Sequence, residues 1–241
     1  MKNEIRKFLI LGQSRSGTQL LRSLLNNHAD IHCDGELLRR DLRYTRYRWR
    51  HVLFRLYPDP LLRLWQNKTS TPVYGCNMMI YHLALPKPTL RRLVRSNWIV
   101  IHLLRQDLLN IALSYLIANR SGVWHRESGE TSFKDTFTIS PTDLERELIK
   151  RSRWRLLELR LRKEIPYQEV VYERDLLDSS CWQSTCDTLF RELRIDSSPV
   201  STTLRKTDRR SPEEIIDNFD ELQAWLQNSR FRHLSVTANQ D

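Results

Sequence analysis

The residues of this sequence best suited to chemistry form a short turn of small side chains, residues 12–18. Gly12 and Gly17 have the G-x-x-x-x-G spacing of a phosphate-binding loop. The turn follows an apolar run, residues 8–11, and precedes leucines at helical spacing over residues 18–27. Small residues let consecutive backbone N–H groups converge on an anion, and the N-terminus of the next helix adds its dipole. The sequence therefore predicts a strand, an anion-binding turn and a helix.

The cation of this turn is not where an ATP-hydrolysing P-loop has it. Such a loop places a lysine directly after the second glycine, where it contacts the β- and γ-phosphates, and Thr18 stands there instead. The positive charge comes earlier in the turn, as Arg15. A tight strand-to-helix turn with an ordinary surface arginine is the alternative interpretation.

The longer run around this turn resembles a known family. Residues 8–21, 24–28 and 33–36 are similar to the 5′-phosphosulfate loop of sulfotransferases that use 3′-phosphoadenosine 5′-phosphosulfate (PAPS). The bacterial branch with the nodulation-factor and trehalose sulfotransferases is particularly similar, because it often carries arginine where cytosolic members carry lysine. The resemblance implies that PAPS is the co-substrate and that its 5′-phosphosulfate is held by Arg15, Ser16, Gly17, Thr18 and Gln19.

The same resemblance implies a second anion site. Sulfotransferases bind the 3′-phosphate of PAPS with an arginine at a strand end and a serine on the following helix. Here a predicted strand, residues 98–104, is followed by Arg105, and Asp107 is placed to cap a helix that contains Ser114. The interval from Arg105 to Ser114 also resembles the bacterial branch. The alternatives are a surface ion pair of Arg105 with Asp107 and a small, packed Ser114.

Two later segments also resemble the family. Residues 171–175 are similar to its V-x-Y-E-D-L strand end, although Arg174 is inserted before Asp175. Arg205 and Lys206 resemble a late basic contact to the cofactor, which implies that both side chains bind PAPS. A solvated basic loop is the alternative for that pair.

Sulfuryl transfer also requires a base, because the acceptor hydroxyl must lose a proton. Glu36 is the candidate: it follows the first predicted helix by a short loop, in a turn over residues 33–36. The trehalose-type enzymes, which the chain resembles, are thought to use a glutamate in a similar place. A glutamate buried against an arginine is the alternative, and His32 is a rival base. Arg15 is expected to stabilise the charge on the leaving nucleotide.

Other polar residues have simpler interpretations. His28 is expected to cap the C-terminus of the first helix, and His82 and His102 lie in apolar runs that are typical of the core. One departure from the family is Asn77, which follows a glycine and an apolar residue in a predicted strand where many relatives carry a lysine. The role of that lysine is therefore absent or moved.

The segment between Glu36 and Thr71 is unusually rich in arginine and aromatic residues. These are Arg39, Arg40, Arg43, Arg46, Arg48, Arg50 and Arg55, with Tyr44, Tyr47, Trp49, Phe54 and Tyr57. Arginine with aromatic side chains suits the stacking of sugars, the binding of anionic glycans, or nucleic-acid contacts. An amphipathic helix with a solvated basic face is the alternative. The polar stretch over residues 119–138 is a candidate lid.

Strands alternate with helices along the chain. Further strands are predicted over residues 73–80 and 169–172, and a serine before a proline predicts helix starts at Ser140 and Ser211. The alternation predicts a three-layer α/β/α fold with a largely parallel central sheet, which the resemblance identifies as the P-loop-like sulfotransferase fold. The length of 241 residues predicts a single domain, with a variable acceptor-side segment at about 37–71, and two small domains are the alternative.

Composition limits the partners and the compartment. The net charge of +10 indicates an anionic partner such as a phosphorylated nucleotide, a nucleic acid or an acidic lipid. No run of eighteen apolar residues occurs, so we predict no transmembrane segment. The four cysteines lack metal-ligand spacing, which favours reduced thiols in a cytoplasmic protein and no metal cofactor.

Three functions compete for these features. A PAPS-dependent sulfotransferase acting on the hydroxyl of a carbohydrate or another small molecule accounts for both anion motifs. A nucleotide or sugar kinase with a degenerate P-loop lacks the lysine and a convincing Walker-B aspartate, since the strand over residues 98–104 leads into Arg105. A basic RNA-binding protein leaves both motifs unexplained, so nucleic acid is not the favoured partner. The sequence leaves homo-oligomer formation open.

Overall fold

The structure, a computed structural model, describes residues 5–37, 54, 56–67, 69–83, 85–124, 126–127, 136–205 and 210–234. The chain divides into two compact units. The first comprises residues 1–106 and 156–202, and the second residues 107–155 and 203–241. A single domain over the whole chain therefore stays a prediction.

Short strands alternate with helices in the described residues. The strands are β1 (Arg6–Gly12), β2 (Ile31–Glu36), β3 (Val73–Met79), β4 (Trp98–Leu104), β5 (Arg126–Glu127), β6 (Gln168–Val171) and β7 (Leu204–Arg205). The α-helices are α1 (Thr18–Leu25), α2 (Pro58–Gln66), α3 (Pro86–Arg95), α4 (Leu108–Ser121), α5 (Pro141–Arg162), α6 (Trp182–Glu192), α7 (Pro212–Ile215) and α8 (Phe219–Gln227). A π-helical turn, Tyr172–Leu176, follows β6.

A five-stranded parallel sheet with the order β2-β3-β1-β4-β6 forms the centre of the first unit. Its middle strands are nearly continuous apolar runs, which is the pattern of strands covered on both faces. Phe8 of β1 packs on one face with Leu21 of α1 and Phe190 of α6. Leu11, on the other face, lines a small cavity with Leu90 of α3 and with side chains of α5. Helices thus cover both faces, which confirms the predicted three-layer α/β/α fold.

The edge strand β2 replaces the turn that the sequence predicts over residues 33–36. Only Ile31 and Cys33 of this strand are buried apolar residues, so the alternating pattern is too short to predict a strand. The Asn26 side chain supports the strand by accepting from the Cys33 N–H at 2.6 Å and donating to the Cys33 carbonyl at 2.9 Å. Pairing with β3 extends β2 as far as Glu36, where local propensity does not.

The helix starts are confirmed, but the last predicted helix is split. Asp107 caps α4 by accepting from a backbone N–H at 2.8 Å, and the Ser140 hydroxyl caps α5 at 3.2 Å. Ser211 forms a capping box at the start of α7. This helix ends after four residues, because the Phe137 N–H donates to the Ile215 carbonyl at 2.8 Å and the chain pairs there with residue 137.

The second unit is mainly helical. Its core joins apolar side chains of α4, α5, α7 and α8, namely Leu109, Leu113, Leu144, Leu148, Ile215, Leu222 and Leu226. Arg151 of α5 is fully buried and forms an ion pair of 2.7 Å with Glu147. The Arg151 guanidinium also lies 4.9 Å and 5.1 Å from the ring centroids of Tyr115 and Trp154. The short strands β5 and β7 pair antiparallel.

Candidate active site

The carboxyl ends of the parallel strands bring the predicted residues of the first unit to one edge of the sheet. The turn of residues 12–18 follows β1, Glu36 ends β2, Arg105 follows β4 and Tyr172 follows β6. From β1 the chain moves to one side for β2 and β3 and to the other side for β4 and β6. The end of β1 is therefore a topological switch point, which is where open parallel sheets bind ligands.

The turn itself has the backbone conformation of an anion site. Arg15 (φ 69°) and Gly17 (φ 97°) are in the left-handed region, and such residues turn neighbouring N–H groups toward a common point. Ser16 closes the turn on Gln13, because its hydroxyl donates to the Gln13 carbonyl at 2.7 Å and its N–H does so at 3.3 Å. Gly17 is the N-cap of α1, and no described side chain caps this terminus. The first N–H groups of α1 are therefore available to an anion.

Close contacts explain both glycines of the turn. A Cβ atom at Gly12 would lie 2.8 Å from the Leu103 carbonyl oxygen, and one at Gly17 would lie 2.6 Å from the Tyr172 ring. Neither position has room for a side chain, and Gly17 also needs a positive φ. The glycine spacing that identifies the turn in the sequence therefore has a steric cause.

Arg105 is held at the turn by three contacts. Its Nη1 donates to the Arg15 carbonyl at 2.9 Å, and its guanidinium lies 4.6 Å from the ring centroid of Tyr172. Its Nε is 3.9 Å from the Glu173 carboxylate. Stacking on an aromatic ring leaves the edge of a guanidinium free for hydrogen bonds to oxyanions. Two arginines from separate segments of the chain thus meet at one turn.

A β-bulge turns the Glu36 side chain. The register between β2 and β3 shifts, so that Asp34 pairs with Cys76 but Glu36 pairs with Asn77. Paired residues share a face of the sheet, and the Asn77 amide reaches α1, with its Nδ2 3.5 Å from the Thr18 carbonyl. The bulge therefore places Glu36 on the α1 face of the sheet, whereas strict alternation with Asp34 would place it on the opposite face.

The rival base His32 lies nearer the amino-terminal ends of the parallel strands, away from the turn. It pairs with Tyr74, which is level with Lys7 of β1. Lys7 comes five residues before Gly12, which corresponds to ~16 Å along the strand. By the same register, Glu36 is ~10 Å closer to the level of Gly12.

Burial keeps two cysteines and a tyrosine of β2 and β3 protonated. Burial raises the pKa of the Cys33 thiol well above its usual value, and it also raises the pKa of the Cys76 thiol. Burial likewise raises the pKa of the Tyr74 hydroxyl, which donates to the Asp34 carboxylate at 2.8 Å. The two thiols and the hydroxyl therefore stay protonated at neutral pH.

The remaining predicted contacts of the turn lie on α1. Thr18 is the first residue of this helix and is buried. The side-chain oxygen of Gln19 accepts from Nη1 of Arg22 at 2.7 Å, and Nε of Arg22 donates to the Cys33 carbonyl at 3.2 Å. Arg22 thus links the start of α1 to the strand that ends in Glu36.

Three predicted cofactor residues are not part of the first unit. Ser114 is a half-buried residue of α4, and Arg205 ends β7, where it pairs with Arg126; both residues belong to the second unit. Lys206 lies outside the described residues, as do the seven arginines of the predicted acceptor segment. The candidate lid is described only in part, since residues 125 and 128–135 also lie outside.

Three histidines of the first unit are buried. His82 and His102 are buried, which confirms that they belong to the core. His28 is also buried, but α1 already ends at Leu25, so the predicted helix cap is wrong. Its Nδ1 accepts from the Asp30 N–H at 3.1 Å and its Nε2 lies 2.9 Å from a backbone carbonyl, so it braces the loop before β2.

A buried polar cluster behind the turn is not predicted from the sequence. Nε2 of Gln13 donates to Oε2 of Glu158 at 3.0 Å, and Oε1 of Glu158 lies 3.7 Å from Nε2 of His102. All three residues are almost fully buried. Glu158 belongs to an arginine-rich helix, where a glutamate is ordinarily solvated, so only the packed structure reveals its position.

Membrane-spanning helices and groups of metal ligands are both absent from the described ranges. No helix in them is long and apolar enough to cross a membrane. In the same ranges no three histidine, cysteine, aspartate or glutamate side chains are grouped as metal ligands. All four cysteines are free thiols.

Similarity to known proteins is found among solved structures. Comparisons with protein-family models and with curated protein sequences find no match. Among the solved structures, the chain is similar to a sulfotransferase from Alicyclobacillus acidocaldarius, with a TM-score of 0.49 and 15% sequence identity. The similarity covers 95% of this chain and 92% of that chain.

Proposed function

We propose that this chain is a PAPS-dependent sulfotransferase, which transfers the sulfuryl group to a hydroxyl of a carbohydrate or another small molecule. The observation that carries the proposal is the contact of the Arg105 guanidinium with the Arg15 carbonyl, in a turn that leads into an uncapped helix N-terminus. Such a site suits a nucleotide with several negative charges. The resemblance of the turn to a 5′-phosphosulfate loop supports PAPS as that nucleotide.

The kinase hypothesis is less well supported by the same residues. Thr18 occupies the position of the P-loop lysine, and the strand next to β1 leads into Arg105 instead of an aspartate that would hold Mg²⁺. Arginine at this position favours direct contact with phosphate or sulfate. The basic charge alone does not favour RNA, because Arg105 contacts the turn that contains Arg15 and the two residues belong to one compact site.

In the proposed mechanism, the 5′-phosphosulfate binds in the turn and the acceptor oxygen attacks sulfur in line with the leaving group. The new O–S bond forms as the bond from sulfur to the 5′-phosphate oxygen breaks. Negative charge grows on that phosphate, and Arg15 and the N–H groups of Gly17, Thr18 and Gln19 stabilise it. The products are the sulfated acceptor and adenosine 3′,5′-bisphosphate.

Glu36 is proposed as the base that takes the acceptor proton. Its support is positional, because the bulge places it on the α1 face and at the same sheet edge as the turn. His32 is less suitable, because the strand pairing places it level with Lys7, which is ~16 Å along the strand from Gly12. Glu36 thus completes the first-unit part of the proposed site.

The 3′-phosphate is assigned to Arg105 and Ser114, and Arg205 and Lys206 are proposed as further cofactor contacts. These assignments rest on the resemblance, and Arg105 is supported in addition by its contacts at the turn. No metal is proposed for the transfer. Free thiols are typical of a reducing compartment, which supports a cytoplasmic enzyme.

A thermal-shift screen separates the three functions. Adenosine 3′,5′-bisphosphate at about a hundred times its dissociation constant is expected to add about 2.7 kcal/mol to the free energy of unfolding. ATP and a short RNA at the same concentration are expected to shift the midpoint much less. A shift from ATP as large as that from the bisphosphate would favour the kinase, and a dominant shift from RNA would favour the RNA-binding protein.

A further inference from the structure

We propose that Glu158 is a positioning residue for the phosphate-binding turn and that it acts through Gln13. The inference rests on the proposed function, because it concerns the turn that would hold the 5′-phosphosulfate. Glu158 lies on α5, far from the turn in sequence, and it has no place in the proposed chemistry. Its role would be to fix the shape of the anion site from behind.

A short chain of hydrogen bonds joins this carboxylate to the turn. Oε2 of Glu158 accepts from the Gln13 side chain at 3.0 Å. The backbone carbonyl of Gln13 in turn accepts from both the hydroxyl and the N–H of Ser16, at 2.7 Å and 3.3 Å. Anchoring the Gln13 side chain therefore fixes the carbonyl on which the turn closes, and with it the backbone of Arg15 that lies between.

Both residues of this hydrogen bond are buried: the Glu158 side chain is 1% exposed and Gln13 is 2% exposed. A buried amide or carboxylate that loses its hydrogen-bond partner is strongly disfavoured. If position 158 has no acceptor, the Gln13 amide gains by turning toward water, and this movement disturbs the turn. The binding of the nucleotide is then weakened without any change in a residue that contacts it.

The requirement is for an acceptor at position 158 and not for its charge. In Glu158→Gln the amide oxygen still accepts from Gln13. The new amide N–H faces Nε2 of His102, which lies 3.7 Å from the present carboxylate and accepts in the neutral tautomer that carries its proton on Nδ1. Glu158→Met has a side chain of similar length and no comparable acceptor. The two variants therefore separate the hydrogen bond from the volume of the side chain.

Calorimetric titration with adenosine 3′,5′-bisphosphate tests the proposal on the full chain. Glu158→Met and Gln13→Met are each expected to raise the dissociation constant about tenfold, whereas Glu158→Gln stays within about twofold of wild type. The double variant is expected to bind no more weakly than either single variant, because both act on one contact. If Glu158→Met does not fold, Gln13→Met decides the question.

Leu193→Ala is the control for lost stability. Leu193 is buried, and its carbonyl accepts from Arg6 at 2.9 Å, at the start of β1 and away from the turn. The variant is expected to lower the unfolding midpoint and leave the dissociation constant unchanged. Wild-type affinity in both methionine variants would overturn the inference but not the proposed function. Equal weakening by Leu193→Ala or Glu158→Gln would also overturn the inference. Failure of the wild-type chain to bind the bisphosphate would overturn the proposed function as well.

Discussion

Replacing Arg15 with alanine is expected to lower kcat for sulfuryl transfer by about a hundred- to a thousandfold, the effect of losing one group that stabilises developing negative charge. Two features of the backbone at position 15 are kept in this variant. Alanine also carries a Cβ atom, so the cost of the left-handed conformation at φ 69° is the same. The Arg15 carbonyl that accepts from Arg105 is retained. The free energy of unfolding without ligand should therefore change by less than about 1 kcal/mol.

The measurement is the formation of adenosine 3′,5′-bisphosphate from PAPS, with an acceptor identified by screening carbohydrates and small hydroxyl compounds. Arg91→Ala is the matched control, because Arg91 is an exposed arginine of the same unit that pairs with Glu164 at 3.0 Å. It should leave kcat unchanged. Near-normal turnover in Arg15→Ala would show that the 5′-phosphosulfate binds elsewhere.

Glu36→Gln is expected to lower kcat by about a hundred- to ten-thousandfold, the usual contribution of a general base. Glutamine keeps the size and one acceptor oxygen of the side chain but cannot take the proton. The dissociation constant of the bisphosphate should stay unchanged, because Glu36 is not proposed to contact the nucleotide. The pair of measurements therefore separates a loss of proton transfer from a loss of binding.

His32→Gln is the comparison for this prediction, because His32 belongs to the same strand and also pairs with a residue of β3. It is expected to keep near-normal turnover. If Glu36→Gln retains most of its activity while His32→Gln loses it, the base is His32, and the bulge at the end of β2 has no catalytic role.

The turn was predictable because its pattern lies within one short segment, with two glycines at fixed spacing between a strand and a helix. The atoms that exclude a side chain at Gly12 and Gly17 belong to the distant residues Leu103 and Tyr172. The apolar runs of β1 and β4 identify buried parallel strands without further information. The clear capping residues Asp107 and Ser140 mark helix starts for the same reason, since a cap depends on neighbours within one helical turn.

The rest of the site depends on contacts that local sequence does not encode. The face that Glu36 occupies is set by a register shift against β3, and β2 itself has too few apolar residues to be predicted as a strand. The stacking of Arg105 on Tyr172 joins residues from different strand ends. Glu158 resembles a solvated helix residue until α5 packs on the sheet and places it behind Gln13.

The measurement that tests the central claim most directly is the contribution of the 3′-phosphate to binding. Calorimetry with adenosine 3′,5′-bisphosphate and adenosine 5′-monophosphate gives this contribution as a ratio of dissociation constants. We expect wild type to bind the bisphosphate about ten- to a hundredfold more tightly, and Arg105→Ala to lose most of that ratio, because a charge-assisted hydrogen bond contributes about this much. A wild-type ratio near one, or a ratio unchanged by Arg105→Ala, would contradict the assignment of this site to PAPS.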